Sequence, residues 1–99
     1  MYVILWEYVV RPGKATAFAH AYGPDGAWAE LFRRAEGFLE TELLQEQDGT
    51  DRWLTIDRWK SEADFEAFKA RFEADYHRLD DEFAELTLEE DRIGGFVTA

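Results

Sequence analysis

Residues 52–76 read RWLTIDRWKSEADFEAFKARFEADY, and this stretch decides the fold. Its first eight residues alternate between two sets of side chains, a period of two that is typical of a strand with two different faces. One of the two sets consists of Trp53, Thr55, Asp57 and Trp59. The alternation predicts a strand over residues 52–59.

The same stretch continues into a predicted helix. Ser61 stands where a helix N-cap is expected, and Asp64 three residues later completes a capping-box pattern. Beyond the cap, aromatic and leucine side chains recur at steps of three and four, which defines one face of an α-helix. This stripe consists of Phe65, Phe68, Phe72, Tyr76, Leu79, Phe83 and Leu86. The pattern predicts a helix that runs to about residue 86.

The N-terminal segment predicts a strand over residues 2–10, ended by Pro12 and Gly13. Both of its alternating sets of side chains are mostly apolar, whereas a sheet with helices on one face and water on the other has polar residues at every second position. Something must therefore cover the second face. A second copy of the chain is the simplest cover, because one sequence then supplies both halves of the interface. We expect a homodimer formed through the sheet.

The remaining segments complete the element order. Residues 14–22 and 27–36 have helical spacing, and the Gly-Pro-Asp-Gly sequence at 23–26 separates them. Residues 38–47 predict a strand joined to residues 52–59 by a hairpin turn. Thr87 repeats the capping-box pattern and predicts one further helical turn, and residues 92–98 predict a last strand with Gly94-Gly95 at a bulge or close approach. The order β-α-β-β-α-β indicates a single α+β domain over residues 1–99, ferredoxin-like, with an antiparallel sheet.

Composition excludes several classes of function. The 22 acidic and 11 basic residues give a net charge of −11, which argues against nucleic acid and anionic membranes as partners. With no cysteine, disulfides and thiol chemistry are excluded. The apolar N-terminus lacks a basic leader and, at about ten residues, is too short to span a bilayer, so we expect a cytoplasmic protein. An aromatic content of 16% is high for a short chain and indicates a subunit interface or a ring-lined pocket.

Several short motifs along nearly the whole chain resemble a known family. The residues that carry the resemblance are Asp57-Arg58-Trp59-Lys60-Ser61 at the end of the hairpin strand, Phe65 four residues later, Pro12-Gly13 after the first strand, a phenylalanine in the first helix, and Gly37 before the second strand. The pattern is similar to that of the antibiotic biosynthesis monooxygenase (ABM) domains. The resemblance implies a dimeric α+β barrel, in which two ferredoxin-like subunits join through their sheets.

The resemblance also implies a choice of functions. Some related proteins oxidise phenols or quinols with dioxygen and need no metal or flavin, which implies a cofactor-independent monooxygenase acting on a small aromatic substrate. Others have no assigned activity, so a non-catalytic homodimeric domain that binds a small molecule or serves regulation remains the alternative. The haem-degrading relatives match poorly, because Glu7 and its neighbours replace their asparagine and Phe68 replaces their tryptophan. We expect no cofactor.

Two residues are candidates for acid-base chemistry. His77 follows Tyr76 of the helical stripe, and an unperturbed imidazole titrates near neutrality. Asp57 shares a strand face with aromatic side chains, where a carboxyl group either has a raised pKa or pairs with an arginine. For both, a structural role remains the alternative: an exposed helix histidine and an ion pair. Two isolated histidines without cysteine predict no metal site.

Aromatic side chains supply the candidates for substrate binding. Tyr76 and Tyr22 are predicted hydrogen-bond donors to a substrate. The rings predicted to contact it are Trp59, Trp28, Tyr22, Phe32 and Phe68. Trp59 has an equally simple alternative, in which it packs at the end of its strand against the following helix.

Overall fold

The computed structural model describes all residues from Met1 to Ala99. It contains four β-strands, four α-helices and one turn of 3₁₀ helix. In chain order these are β1 (Tyr2–Val10), α1 (Ala15–Tyr22), α2 (Ala27–Arg33), β2 (Phe38–Gln45), β3 (Arg52–Trp59), α3 (Glu62–Arg71), α4 (Glu73–Phe83), the 3₁₀ turn (Ala84–Leu86) and β4 (Thr87–Val97). None of the helices is both long and apolar enough to cross a lipid bilayer.

The four strands form one antiparallel sheet in the order β2-β3-β1-β4. The central pair is β1 and β3, with Ile4 opposite Asp57 and Tyr8 opposite Trp53. The hairpin between β2 and β3 turns at Gly49, whose φ of +70° favours glycine. This strand order, with the helices on one face, confirms the predicted ferredoxin-like α+β fold.

The helix-covered face of the sheet holds a core dominated by aromatic rings. Along β3 every second side chain is buried on this face, as the alternation predicts, and β1 follows the same pattern except at the half-buried Trp6. Trp59, Phe18 and Phe68 are the largest side chains that are completely buried. Most rings contact one another edge to face or tilted, as around Trp59, whereas Phe18 stacks on Tyr22 and Phe68 on Phe72.

The outer sheet face, which no helix covers, has an apolar centre and charged flanks. Its centre is formed by half-buried or exposed side chains of all four strands: Val3, Leu5, Leu44, Leu54, Ile56 and Phe96. Arg52 pairs with Glu7 at one end of this face, and Arg58 pairs with Glu40 and Glu42 at the other. The expectation that the second face of β1 lacks cover within the chain is therefore confirmed.

Ser61 caps α3 as predicted. The backbone N–H of Asp64 donates to Ser61 Oγ at 3.1 Å. The Asp64 side chain lies against Gly37, where an added Cβ would come within 2.5 Å of the carboxyl group. Gly37 also has a φ of +90°, so both space and backbone conformation require glycine before β2.

The predicted continuous helix after Ser61 is divided in two, which corrects the prediction. At Phe72 the backbone leaves helical geometry, with φ −110° and ψ 25°, and this residue ends α3 and begins α4. The break lets the halves pack against different partners. Phe68 of α3 contacts Trp59, whereas Tyr76 of α4 contacts Trp28.

The predicted helical turn at Thr87 is also wrong, because β4 already begins there. Thr87 lies opposite Val10, and pairing with β1 satisfies the backbone groups that a helical turn would otherwise use. Gly95 makes the predicted close approach, since an added Cβ would lie 2.2 Å from the Tyr2 hydroxyl. Smaller differences concern two ends: α2 stops at Arg33 and β2 at Gln45, two or three residues before the predicted ends.

Candidate active site

A cavity lies between the helix-covered face of the sheet and helices α1, α2 and α4. About 40 Å³ is open to the centres of water-sized molecules, which is room for a few waters. Aromatic rings and polar side chains contribute to its lining in nearly equal numbers. The lining residues are Trp6, Tyr8, Tyr22, Trp28, Phe32, Thr41, Thr55, Asp57, Tyr76, Asp80 and Glu90.

Asp57 is the most deeply buried carboxyl group of the cavity, with 7% residual exposure. Thr41 on the neighbouring strand donates its hydroxyl to Asp57 Oδ1 at 2.7 Å, and no protein group donates to Oδ2. The ion pair considered as an alternative does not form within the chain, because Arg58 points to the outer sheet face. Burial raises the pKa of Asp57 to about 6, and the Thr41 hydrogen bond offsets only part of this rise. At neutral pH the group is ionised and able to accept a proton.

Two buried tyrosines of the cavity stay protonated. The Tyr8 hydroxyl and Thr55 Oγ1 share a hydrogen bond of 3.0 Å, and Tyr22 donates to Glu90 Oε1 at 3.2 Å. Burial raises the pKa of both phenols, and the nearby carboxylates, among them Glu90, raise it further. Both side chains therefore act as hydrogen-bond donors over the physiological pH range.

Helix α4 places Tyr76 and Asp80, one turn apart, at the helical side of the cavity. The Tyr76 ring meets Trp28 edge to face with centroids 4.9 Å apart, and Lys69 Nζ lies 3.7 Å from the centre of the Tyr76 ring. Burial raises the pKa of Tyr76 to about 12 and also raises the pKa of Asp80. Trp28 Nε1 is buried near the Tyr22 hydroxyl, but no protein acceptor meets it with hydrogen-bond geometry.

Five of the eight predicted site residues line this cavity. They are Asp57, Tyr76, Trp28, Tyr22 and Phe32. The carboxylate on β3 and the rings of the three helices α1, α2 and α4 therefore meet at one place, although they are far apart in the sequence.

The other three predicted residues lie elsewhere. His77 is on the exposed side of α4, with Nε2 3.8 Å from Glu73 Oε1. Trp59 is completely buried among rings of the core, and Phe68 packs directly against it with centroids 5.2 Å apart. Trp59 thus adopts the packing role that was its alternative.

Four polar lining residues were not among the predicted site residues: Thr41, Thr55, Asp80 and Glu90. Thr55 was detectable, because it alternates with Asp57 on β3. Asp80 stands four residues after Tyr76, so a helical pattern places both on one face. Glu90 was hidden by the incorrect helical turn at Thr87, since only a strand at this position points it toward Tyr22.

Comparison with known proteins identifies the family. The family model described as antibiotic biosynthesis monooxygenase matches residues 1–85. The chain belongs to this family. No curated protein matches the sequence significantly.

Solved structures show that the ABM fold is shared over the full length of the chain. SnoaB, a cofactor-independent oxygenase from Streptomyces nogalater, superposes with a TM-score of 0.74 at 20% identity, covering 99% of this chain and 92% of SnoaB. PA3566 from Pseudomonas aeruginosa superposes with a TM-score of 0.69 at 16% identity, covering 99% of this chain and 93% of PA3566. SO0527 from Shewanella oneidensis superposes with a TM-score of 0.69 at 21% identity, covering 96% of this chain and 87% of SO0527. At these identities the likeness establishes the fold.

Proposed function

We propose that this ABM-family protein is a cofactor-independent monooxygenase that oxidises a small phenol or quinol. The observation that carries the proposal is Asp57, a buried carboxylate with an unoccupied oxygen in a ring-lined cavity. The fold shared with SnoaB, which is described as a cofactor-independent oxygenase, supports the same reaction type.

In the proposed reaction Asp57 removes the proton of the substrate hydroxyl. Its pKa of about 6 suits a base that is ionised at neutral pH and can return the proton. The Trp28 N–H and the Tyr76 hydroxyl are donors that can hold the developing phenolate oxygen. These three groups come from β3, α2 and α4, so the fold brings them together.

The phenolate then supplies all the electrons that dioxygen needs. It transfers one electron to dioxygen, and the resulting radical pair combines to form a ring C–O bond as a peroxide. Loss of water, with the ring hydrogen leaving as a proton, gives the quinone. One oxygen atom enters the product and the other leaves as water, so no external reductant is required.

The size of the cavity sets a condition on substrate entry. The open space holds a few water molecules, so an aromatic ring enters only if lining side chains move. Trp6 and Tyr76 are half-buried, whereas Tyr8 and Trp28 are buried. We therefore propose that the ring enters past Trp6 and Tyr76.

The test is oxygen uptake with a panel of naphthols and hydroquinones. Asp57→Asn should lower uptake by roughly 10² to 10⁴-fold, the usual contribution of a general base. His77→Ala is the matched control, because it removes the other candidate base from an exposed position outside the cavity, and it should leave uptake unchanged. Uptake that survives Asp57→Asn would exclude this base. Tight binding of the panel without any uptake would instead indicate a binding or regulatory domain.

We further propose that a second copy of the chain covers the outer sheet face. Its apolar centre lies between flanks whose charges already pair within the chain, so a two-fold-related copy can bury the centre without leaving a buried charge unpaired. The proposed dimer has a mass near twice 11.6 kDa in solution. Leu5→Asp should give a monomer or unfold the chain, whereas Ala74→Asp on the exposed side of α4 should leave the mass of the dimer unchanged. A wild-type chain that sediments as a monomer would refute the dimer.

A further inference from the structure

The cavity contains three carboxyl groups and no cation that pairs with them. Asp57, Asp80 and Glu90 come from β3, α4 and β4, and none has a lysine, arginine or histidine nitrogen within 4 Å. Glu90 accepts hydrogen bonds from neutral hydroxyls, those of Tyr22 and Thr87. The cavity is therefore an acidic space whose charge is not neutralised within the chain.

The positive side chains around the cavity are engaged elsewhere. Arg92 on β4 donates to the Tyr2 hydroxyl at 3.0 Å and acts on Tyr76 only as a distant charge that partly offsets the rise in the pKa of this phenol. Lys69 lies over the Tyr76 ring, and His77 lies near Glu73 on the exposed side of α4. Lys69 and His77 act on Asp80 as distant charges only, and partial burial still dominates the pKa of this group.

Aromatic rings surround the same space. Six of the lining residues are Trp, Tyr or Phe, and they present ring faces or edges to a ligand. A cation near an aromatic ring face is attracted by the quadrupole of the ring, and rings combined with carboxylates are a recurrent way to recognise organic ammonium groups. The three carboxyl groups are not grouped as a metal site, because no cluster of three or more acidic or histidine residues can hold a metal ion.

We propose that the ligand of this cavity is a phenol that carries a protonated amine. The phenolic hydroxyl donates to Asp57 Oδ2, which has no protein donor, and accepts from Trp28 Nε1, which has no protein acceptor. The ammonium group lies toward Asp80 and Glu90, the two carboxyl groups of the cavity that are exposed to solvent. The inference uses the cavity of the proposed function, but it rests on the charge of the cavity and not on its reactivity.

The test measures binding with three ligands of nearly equal size. Isothermal titration calorimetry at pH 7.5 compares 4-(aminomethyl)phenol, a cation, with neutral 4-(hydroxymethyl)phenol and anionic 4-hydroxybenzoate. The cation should bind roughly ten to a hundred times more tightly than the neutral phenol, the range for a charge-assisted hydrogen bond, and the anion should bind most weakly.

Two neighbouring substitutions locate the source of the preference. Asp80→Asn removes a charge from the cavity and should reduce the preference for the cation by roughly tenfold. Asp81→Asn removes the same charge from the next residue of α4, which does not line the cavity, and should change the preference by less than about twofold, as expected for a solvated charge.

Equal affinity for the three phenols, equal effects of the two substitutions, or no binding of any ligand at millimolar concentration would overturn the inference. Oxygen uptake with neutral phenols but no cation preference would overturn it and leave the proposed monooxygenase standing. A cation preference without oxygen uptake would support the proposed ligand and overturn the proposed monooxygenase.

Discussion

Two positions on β3, two residues apart and on the same face of the sheet, have opposite surroundings. Trp59 is completely buried in the aromatic end of the core, formed by Trp59, Phe32, Phe38, Phe65 and Phe68, with ring centroids 5.2 to 5.7 Å from Trp59. Asp57 instead faces the cavity and accepts a hydrogen bond from Thr41.

The difference shows how one sheet face supplies both stability and a site. Where α3 covers the end of β3, large rings fill the space between helix and sheet. Around Asp57 the side chains of β2 and β3 are the shorter Thr41 and Thr55, which hydrogen bond laterally within the sheet and leave space above it. The cavity therefore exists because polar residues replace rings at the centre of the same face.

The largest effect is expected at the aromatic end. Trp59→Ala leaves a cavity among four rings and should lower the free energy of unfolding by about 3–5 kcal/mol. Trp6→Ala is the control at the cavity, where the ring is half-buried, and it should lower the free energy of unfolding clearly less. Urea denaturation measures both. Equal losses would show that the two regions do not differ in packing.

The next effect concerns the pH dependence of stability and comes from Asp57. The pKa of Asp57 is about 6 in the folded chain, against an ordinary value of 3.8 for an aspartate in water, so the folded state holds the proton more tightly. The contribution of Asp57 to the free energy of unfolding is fully present below about pH 4. It is lost as the pH rises through about 6, and the total loss is ~3 kcal/mol. Asp57→Asn should therefore be more stable than wild type at pH 7.5 and similar to it at pH 3.5.

The comparison of wild type and variant isolates Asp57 from the other acidic residues, which titrate in both proteins. Urea denaturation at the two pH values gives the difference directly. Asp81→Asn, on the exposed side of α4, should show no such change between the two pH values. A constant difference between wild type and Asp57→Asn at both pH values would contradict the raised pKa. Together with lost oxygen uptake, a stabilised Asp57→Asn would show that the site lowers the stability of the chain.

The aromatic end was largely predictable from the sequence, because local patterns specify it. The alternation over residues 52–59 gives β3 its observed bounds, and the Ser61 cap begins α3 where expected. The break at Phe72 and the start of β4 at Thr87 were not predictable in this way. Both depend on which neighbouring element supplies backbone hydrogen bonds and packing, and local periodicity carries no such information.

The cavity was predictable only in part, for reasons that individual residues show. Asp57 stood out because a carboxylate among rings on one strand face is unusual. Asp80 and Glu90 are two of 22 acidic residues, and the sequence does not distinguish them from solvated charges. His77 follows Tyr76 directly, but one residue is a rotation of about 100° around a helix. Tyr76 therefore faces the cavity and His77 faces solvent.

The hydrogen bond between Thr41 and Asp57 should account for a smaller effect. Thr41→Val removes the donor that lowers the pKa of Asp57, so this pKa should rise further above 6. The free energy of unfolding at pH 7.5 should fall by roughly 1.5–3 kcal/mol, the contribution of a hydrogen bond to a charged group. Thr55→Val is the matched control, because this hydroxyl pairs with Tyr8 instead. Carbon NMR of the Asp57 carboxyl group follows the titration. An unchanged midpoint in Thr41→Val would mean that this contact does not set the pKa.

The smallest effect is expected at the helix cap that follows the aromatic end. Ser61 follows the last strand residues and starts α3, whose Phe65 and Phe68 cover Trp59. Ser61→Ala removes the acceptor of the Asp64 N–H and should cost about 1 kcal/mol, whereas Ser61→Thr retains an acceptor and should cost less. Because the cap supports α3 and not α4, the loss should appear as faster amide exchange in the first turn of α3, while the pKa of Asp57 stays unchanged. A shifted Asp57 titration in Ser61→Ala would show that the aromatic end and the cavity are coupled. Packing around Trp59 would then influence the protonation of Asp57, two residues away on β3.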